Sequence, residues 1–166
     1  GDPDSEADAL AACAFPDALL EDPVLRSEEV GGLASRVSIH PAVRTALFKR
    51  QRDFARAPGG AVLDGRDIGT VIAPDADVKL FITASVQERA RRRWLEMTRT
   101  HIGREDEIPL AEIERDIVKR DARDINRADA PLKAAPDAFV IDTTSFNPDE
   151  AFDTVLDVVE RALARR

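Results

Sequence analysis

Apolar residues recur along this chain in two rhythms. From Glu28 to Val37 and again from Pro41 to Arg56 they return every three or four positions, the period of a helix that covers one face. In the second stretch Val43, Leu47 and Phe54 share that face, and Pro41 stands in the first turn, where a missing N–H is tolerated. Pro58-Gly59-Gly60 ends it. The other rhythm is the short unbroken run: Ala61 to Asp64, Val78 to Thr83 and Ala138 to Asp142 are expected as strands, and Ala61, Val62 and Leu63 suit one buried on both faces of a parallel sheet. Ser85-Val86-Gln87-Glu88 has the spacing of a capping box, in which Ser85 and Glu88 satisfy each other's backbone donors, and Val86, Ala90, Trp94 and Met97 follow as a buried stripe. A last helix opens on an Asn147 cap with Pro148 first and Glu150 third, and is expected to pack Phe152, Val155, Leu156, Val159 and Leu163. Ahead of all this, residues 1 to 30 form an acidic, Ala-rich helical segment broken at Pro16 and Pro23. Strands alternating with helices predict an α/β layer protein with a mostly parallel sheet flanked by helices.

Polar residues interrupt these patterns in two places. In Gly60-Ala-Val-Leu-Asp-Gly-Arg-Asp-Ile-Gly-Thr70 an apolar run ends on Asp64 and passes into Arg66 and Asp67, with Gly65 and Gly69 expected to let the turn bend tightly. Ligands of open α/β sheets bind beyond the carboxyl ends of strands, so these charges are placed to meet a phosphate, a metal ion or a base. The G-x-x-x-x-G spacing of Gly60 and Gly65 is not a phosphate loop: its interior is apolar, and Arg66 and Asp67 stand where Lys and Ser or Thr are required. The second interruption lies in the helix after the acidic stretch Thr100 to Ile108, itself a candidate lid. There Leu110, Ile113 and Ile117 continue at helical spacing as Arg120, Asp124 and Arg127. Buried charges need a partner or a ligand, so this stripe either lines a cleft or emerges into solvent.

Composition sharpens the picture. The chain has 166 residues, 43% of them hydrophobic, enough for one core. Its single cysteine, Cys13, excludes an internal disulfide and reads as a small apolar residue of an Ala-rich helix. Neither a membrane-spanning run nor a signal-peptide pattern is present, so a cytoplasmic location is expected. The net charge of −8 resides in the first thirty residues, where nine acids meet one base; the remainder carries equal numbers of each. Four bases are lysines and twenty are arginines, ten of them between Arg89 and Arg127. Arginine suits forked recognition of phosphate. Because acids such as Glu112, Asp116 and Asp121 are interleaved with these arginines, no basic face for nucleic acid results.

The strings L-D-G-R-D-I-G-T-V, P-D-A-D-V-K-L-F-I-T-A-S, R-A-R-R-R, K-R-D-A-R-D-I-N-R-A-D-A-P-L and V-I-D-T-T resemble bacterial cytidylate kinases from about Glu29 to the end. The resemblance implies a P-loop nucleoside monophosphate kinase fold and transfer of the γ-phosphoryl group of ATP to CMP or dCMP with Mg2+. It makes residues 29–166 the kinase core, with a lid around 89–127, and residues 1–28 an acidic helical remnant of the monophosphate-binding region. By matching motif, Ser35, Arg44, Asp67 and Arg127 would meet cytosine. Arg66 would hold the CMP phosphate, and Arg120 and Asp124 the sugar. Asp64 would position Mg2+ through water rather than bind it directly. Arg92, Arg93 and Arg123, with Arg91, would neutralise the transferring group. The family's first βα unit, with its phosphate loop, is missing from this sequence, which is expected to be a fragment. The expected partners are ATP and CMP or dCMP, with no nucleic acid and no membrane, in a monomer. Two other readings stand beside this one: a kinase for another monophosphate such as UMP, and a non-catalytic nucleotide-binding protein.

Overall fold

In a computed structural model of the chain, residues 1–100, 109–128 and 130–165 are described. The candidate lid segment 101–108 lies outside them. The described chain divides into two compact units, residues 1–65 with 127–131, and residues 66–126 with 132–166.

The first unit is helical. Helix α1 (Glu6–Ala11) is capped by Ser5, whose side chain accepts from the Asp8 N–H. Pro16 and Pro23 break the next stretch into two 3-10 turns, Asp17–Glu21 and Pro23–Arg26, as their fixed φ and missing donor predict. Helices α2 (Glu28–Val37) and α3 (Pro41–Ala55) match the periodic stretches. Along α3, Val43 is buried, but Phe54 is 58% exposed rather than on the packed face. Cys13 is half-buried, its thiol donating to the Ala9 carbonyl. Gly59 and Gly60, with φ of +97° and +88°, make the turn that ends the unit's helical run. Gly65 and Gly69, expected to let the turn around Arg66 and Asp67 bend tightly, lie outside the left-handed region.

The second unit carries the sheet. Strand β1 (Leu80–Thr83) pairs in parallel with β2 (Phe139–Asp142), Leu80 opposite Phe139 and Thr83 opposite Asp142. Between them run α4 (Val86–Thr100) and α5 (Leu110–Ile125), and α6 (Pro148–Leu163) comes after β2. This is the expected mixed α/β arrangement, a small parallel sheet flanked by helices.

Its core lies between α4 and α5. Ala90, Ile113 and Ile117 are buried together, with Val86, Trp94 and Met97 packed around them, so the stripe read from α4 is the face that packs. Two expectations fail. Residues 61–64 form no strand, and Val62 is 96% exposed. A three-residue apolar run becomes a strand only by hydrogen bonding to a neighbour, and among the described residues none pairs with it. On α6, the capping box of Asn147 and Glu150 forms as expected, but Phe152, Leu156 and Leu163 are exposed.

Residues Ile68–Ile72 form a single π-type turn. The Asp67 carbonyl accepts from the N–H groups of Thr70, Val71 and Ile72, and the Ile68 carbonyl from that of Ala73 at 2.7 Å. Such turns are wider than an α-turn and hold the residue before them at a fixed angle.

The two kinds of glycine respond oppositely to a methyl group. Gly60→Ala has open space around it but the wrong φ, and should lower stability by about 1 to 2 kcal/mol. A Cβ on Gly69 meets Lys79 Cδ at 3.5 Å, an ordinary contact, so Gly69→Ala should be neutral or stabilising. Thermal unfolding of both variants checks this ordering.

Candidate functional site

At the carboxyl-terminal half of α5 the apolar stripe becomes charged without leaving the interior. Ile113 and Ile117 are buried, Arg120 is half-buried, and Asp124, on the same face, is 1% exposed. The stripe therefore turns inward rather than out into solvent. A buried carboxylate requires donors, and Arg66 supplies one, its Nε donating to Asp124 Oδ2 at 3.2 Å. The Nε of Arg120 lies 4.0 Å from the same oxygen, one helical turn away.

Several guanidinium groups act on one another at this point. The Arg120 guanidinium is held below its ordinary value, first by burial and then by the nearby charges of Arg66, Arg93 and Arg123, while Asp124 pulls the other way. Arginine stays protonated under such pressure, so the strain remains electrostatic. The Arg120 Nε is buried and makes no hydrogen bond among the described residues. Two guanidinium groups, those of Arg66 and Arg120, thus stand beside the buried Asp124 carboxylate.

The arginines of α4 separate by function according to their position on the helix. Arg89 forms a bidentate pair with Asp121 of α5, at 3.0 and 2.5 Å, and donates to the Ala84 carbonyl. Arg91 pairs with Glu88 and is exposed. Arg92 donates to Glu88, to the hydroxyl and carbonyl of Thr143 and to the carbonyl of Phe146, joining α4 to the loop after β2. Arg93 is the member whose charge is felt at Arg120. The capping box at Ser85 forms only in half. The Ser85 hydroxyl accepts from the Glu88 N–H, but the Glu88 carboxylate turns to Arg91 and Arg92. The Ser85 N–H goes instead to the Thr144 hydroxyl, which itself donates to the Asp142 carboxylate at 2.5 Å.

The structure brings Arg66, Arg120 and Asp124 into contact and sets Arg93 and Arg123 within their field. Asp67 lies at the head of the π-type turn with its carbonyl engaged, and Asp64 is exposed in the segment before it. Ser35 (buried in α2), Arg44 (half-buried in α3) and Arg127 belong to the first unit. Sequence reading missed the Arg89–Asp121 pair and the Thr143 anchor. Both join residues more than thirty positions apart, for which no spacing rule exists.

Guanidinium groups beside a buried acid, on helices that link two parallel strands, belong to a mixed α/β protein with a small parallel sheet. Comparison with known proteins makes this specific. The sequence profile of the cytidylate kinase family matches residues 11–161. A cytidylate kinase of Caulobacter sp. (strain K31) is 47% identical over 166 residues, covering 99% of this chain and 75% of that protein. One from Cereibacter sphaeroides (strain KD131 / KCTC 12085) is 55% identical over 136 residues, 82% of this chain and 64% of that protein. Another from Rhodopseudomonas palustris (strain TIE-1) is 51% identical over 146 residues, with 88% and 67% covered. The chain belongs to the cytidylate kinase family, and so to the phosphoryl-transferring enzymes. It spans about 64% to 75% of the length of these relatives. No helix of the described residues is long and apolar enough to cross a membrane.

Removing the buried acid is expected to cost most. Asp124→Ala leaves Arg66 and Arg120 facing one another without its counter-charge and should destabilise the fold by about 3 kcal/mol in urea unfolding. Glu88 gives the pH test. Hydrogen bonds from Arg91, opposed by desolvation and aided by Arg92, push its carboxyl down to about 2. A depressed folded-state value means that its stabilisation is complete above the ordinary carboxylate range and is lost as pH falls toward 2. Acid unfolding of Glu88→Gln should lack that part of the pH dependence between about 4.5 and 2.

Proposed function

We propose that this chain carries the CMP-binding and phosphate-neutralising parts of an ATP-dependent cytidylate kinase, which transfers the γ-phosphoryl group of ATP to CMP or dCMP. The observation that carries this reading is the buried Asp124 carboxylate with Arg66 and the half-buried Arg120 beside it, in a chain of the cytidylate kinase family. A nucleotide phosphate would relieve the repulsion that burial imposes on Arg120, and would bring acceptors for its unused Nε–H.

Phosphoryl transfer needs in-line placement and positive charge where negative charge spreads, and little covalent help. Arg66, 40% exposed beside Asp124, is assigned the CMP phosphate, its Nε fixed by the acid and its terminal nitrogens presented to the ligand. Arg120 and Asp124 are assigned the sugar and its hydroxyls. Arg93 and Arg123 are assigned the transferring group. Arg92, whose donors are engaged by Glu88, Thr143 and Phe146, holds α4 in place in this conformation and would contribute its charge at longer range. Cytosine offers an amino donor, for which we assign the Asp67 carboxylate, and O2 and N3 acceptors, for which we assign Ser35, Arg44 and Arg127.

Mg2+ fits the donor set only in company. Asp64 is a hard oxygen donor, but no group of three metal-ligating acids, histidines or cysteines occurs among the described residues. An ion brought by the nucleotide and touching Asp64 through water suits such a site, and it would draw charge from the phosphate oxygens.

Calorimetric titration with CMP, dCMP, UMP and AMP tests the reading. CMP and dCMP should bind at least about tenfold more tightly than the others, and equal affinities would refer the site to phosphate alone. Arg66→Ala should weaken CMP by about 10- to 100-fold. Asp67→Asn should narrow the gap between CMP and UMP while thermal stability holds. Unchanged CMP affinity in both variants would remove the assignment.

A further inference from the structure

Lys79 is a nearly buried lysine with no part in the chemistry above. Its side chain is 8% exposed, and its ammonium reaches Asp137 at 2.6 Å, at the amino-terminal edge of the sheet. Lysine is rarely buried so deeply without reason, because its stem loses rotamer freedom and its charge must be led back to water. Asp137, itself 64% exposed, provides that exit, and the lysine draws its carboxyl below the ordinary value.

The route of the stem supplies the reason. Between the Cα of Lys79 and its paired ammonium, Cγ and Cδ pass alongside Gly69, 3.6 and 3.5 Å from where a Cβ would stand. Ala135 closes the same spot at 3.7 Å. Gly69 is the second residue of the π-type turn whose hydrogen bonds anchor Asp67, directly after Arg66. The backbone of Lys79 is fixed independently, its carbonyl accepting from Phe139 N–H at 2.9 Å as the strands come together. A rigid strand end, a methylene stem and a wide turn are thus stacked in that order. A π-type turn has a poorer hydrogen-bond ladder than an α-turn and persists where its surroundings over-determine it.

We propose that Lys79 is a positioning residue: its methylene stem, led outward by Asp137, braces the Ile68–Ile72 turn and so sets the angle at which Arg66 and Asp67 meet the nucleotide. This rests on the proposed function for the identity of the ligand, but not for the brace itself. The stem does the bracing and the ion pair only directs it, since the Asp137 end of the pair lies at the surface.

Amide hydrogen exchange and CMP titration of Lys79→Ala and Lys79→Met separate the claims. In Lys79→Ala the amides of Val71, Ile72 and Ala73 should exchange roughly tenfold faster, while those of α5 near Ile117 keep their rates, since the loosening is local to the turn. The dissociation constant for CMP should rise about fivefold, the consequence of a misplaced Arg66. Lys79→Met, which keeps the stem and loses the charge, should restore both to near the parent values. Parent-like exchange at 71–73 in Lys79→Ala would overturn the brace, as would a methionine variant no better than alanine. If the parent chain binds no CMP at all, the functional reading fails, while the exchange comparison still decides the brace.

Discussion

Everything in the second unit is arranged around a carboxylate that cannot be exposed and must not be left alone. Asp124 sits at the end of a stripe whose earlier members are Ile113 and Ile117, so the helix that buries them buries it too. Once there, it fixes Arg66 from a segment 58 residues away and steadies Arg120 one turn back on its own helix. Those guanidinium groups could not be gathered in a half-buried place without it, because like charges in a medium of low polarity repel strongly. The acid is thus a structural counter-ion for Arg66 and Arg120.

A second constraint is the division of labour along α4. Arg89, Arg91, Arg92 and Arg93 are nearly consecutive; Arg91 and Arg92 share Glu88, while Arg89 and Arg92 reach beyond the helix. Arg89 finds Asp121 on α5, Arg91 turns back to Glu88, and Arg92 reaches the loop after β2. Arg93 is left on the side of Arg120. Arg89 and Arg92 thus tie the helix to α5 and to the loop after β2, while Arg91 stays on its own helix. In the π-type turn the Asp67 carbonyl gathers several donors, and the Lys79 stem lies against Gly69.

Legibility from the sequence followed the range of the interaction. Helices α2, α3 and α5 and the cap at Asn147 depend on residues within four positions of one another, and they formed where periodicity and capping rules put them. The cap at Ser85 shows where such rules stop: Glu88 has the right spacing for Ser85 but has arginines closer at hand, and Thr144 takes the vacated donor. Residues 61–64 read as a strand and are not one, because a strand is completed by a partner and an apolar run cannot specify it alone. The exposure of Phe152 and Leu163 on a correctly read helix has the same origin, since amphipathicity names the face to be covered and not what covers it.

Taken alone, the order of residues determined the helices, the two paired strands, the alternation that makes an α/β protein, and the motifs that mark a cytidylate kinase. All of these are local in sequence or readable as short strings. Only the folded chain decided that the charged end of α5 turns inward, that Asp124 pairs with Arg66, that Arg92 anchors while Arg93 faces the cluster, and that Lys79 runs beneath Gly69. Each of those unites residues brought close by packing, where burial changes the cost of a charge, and neither distance nor burial is written in the spacing of a sequence.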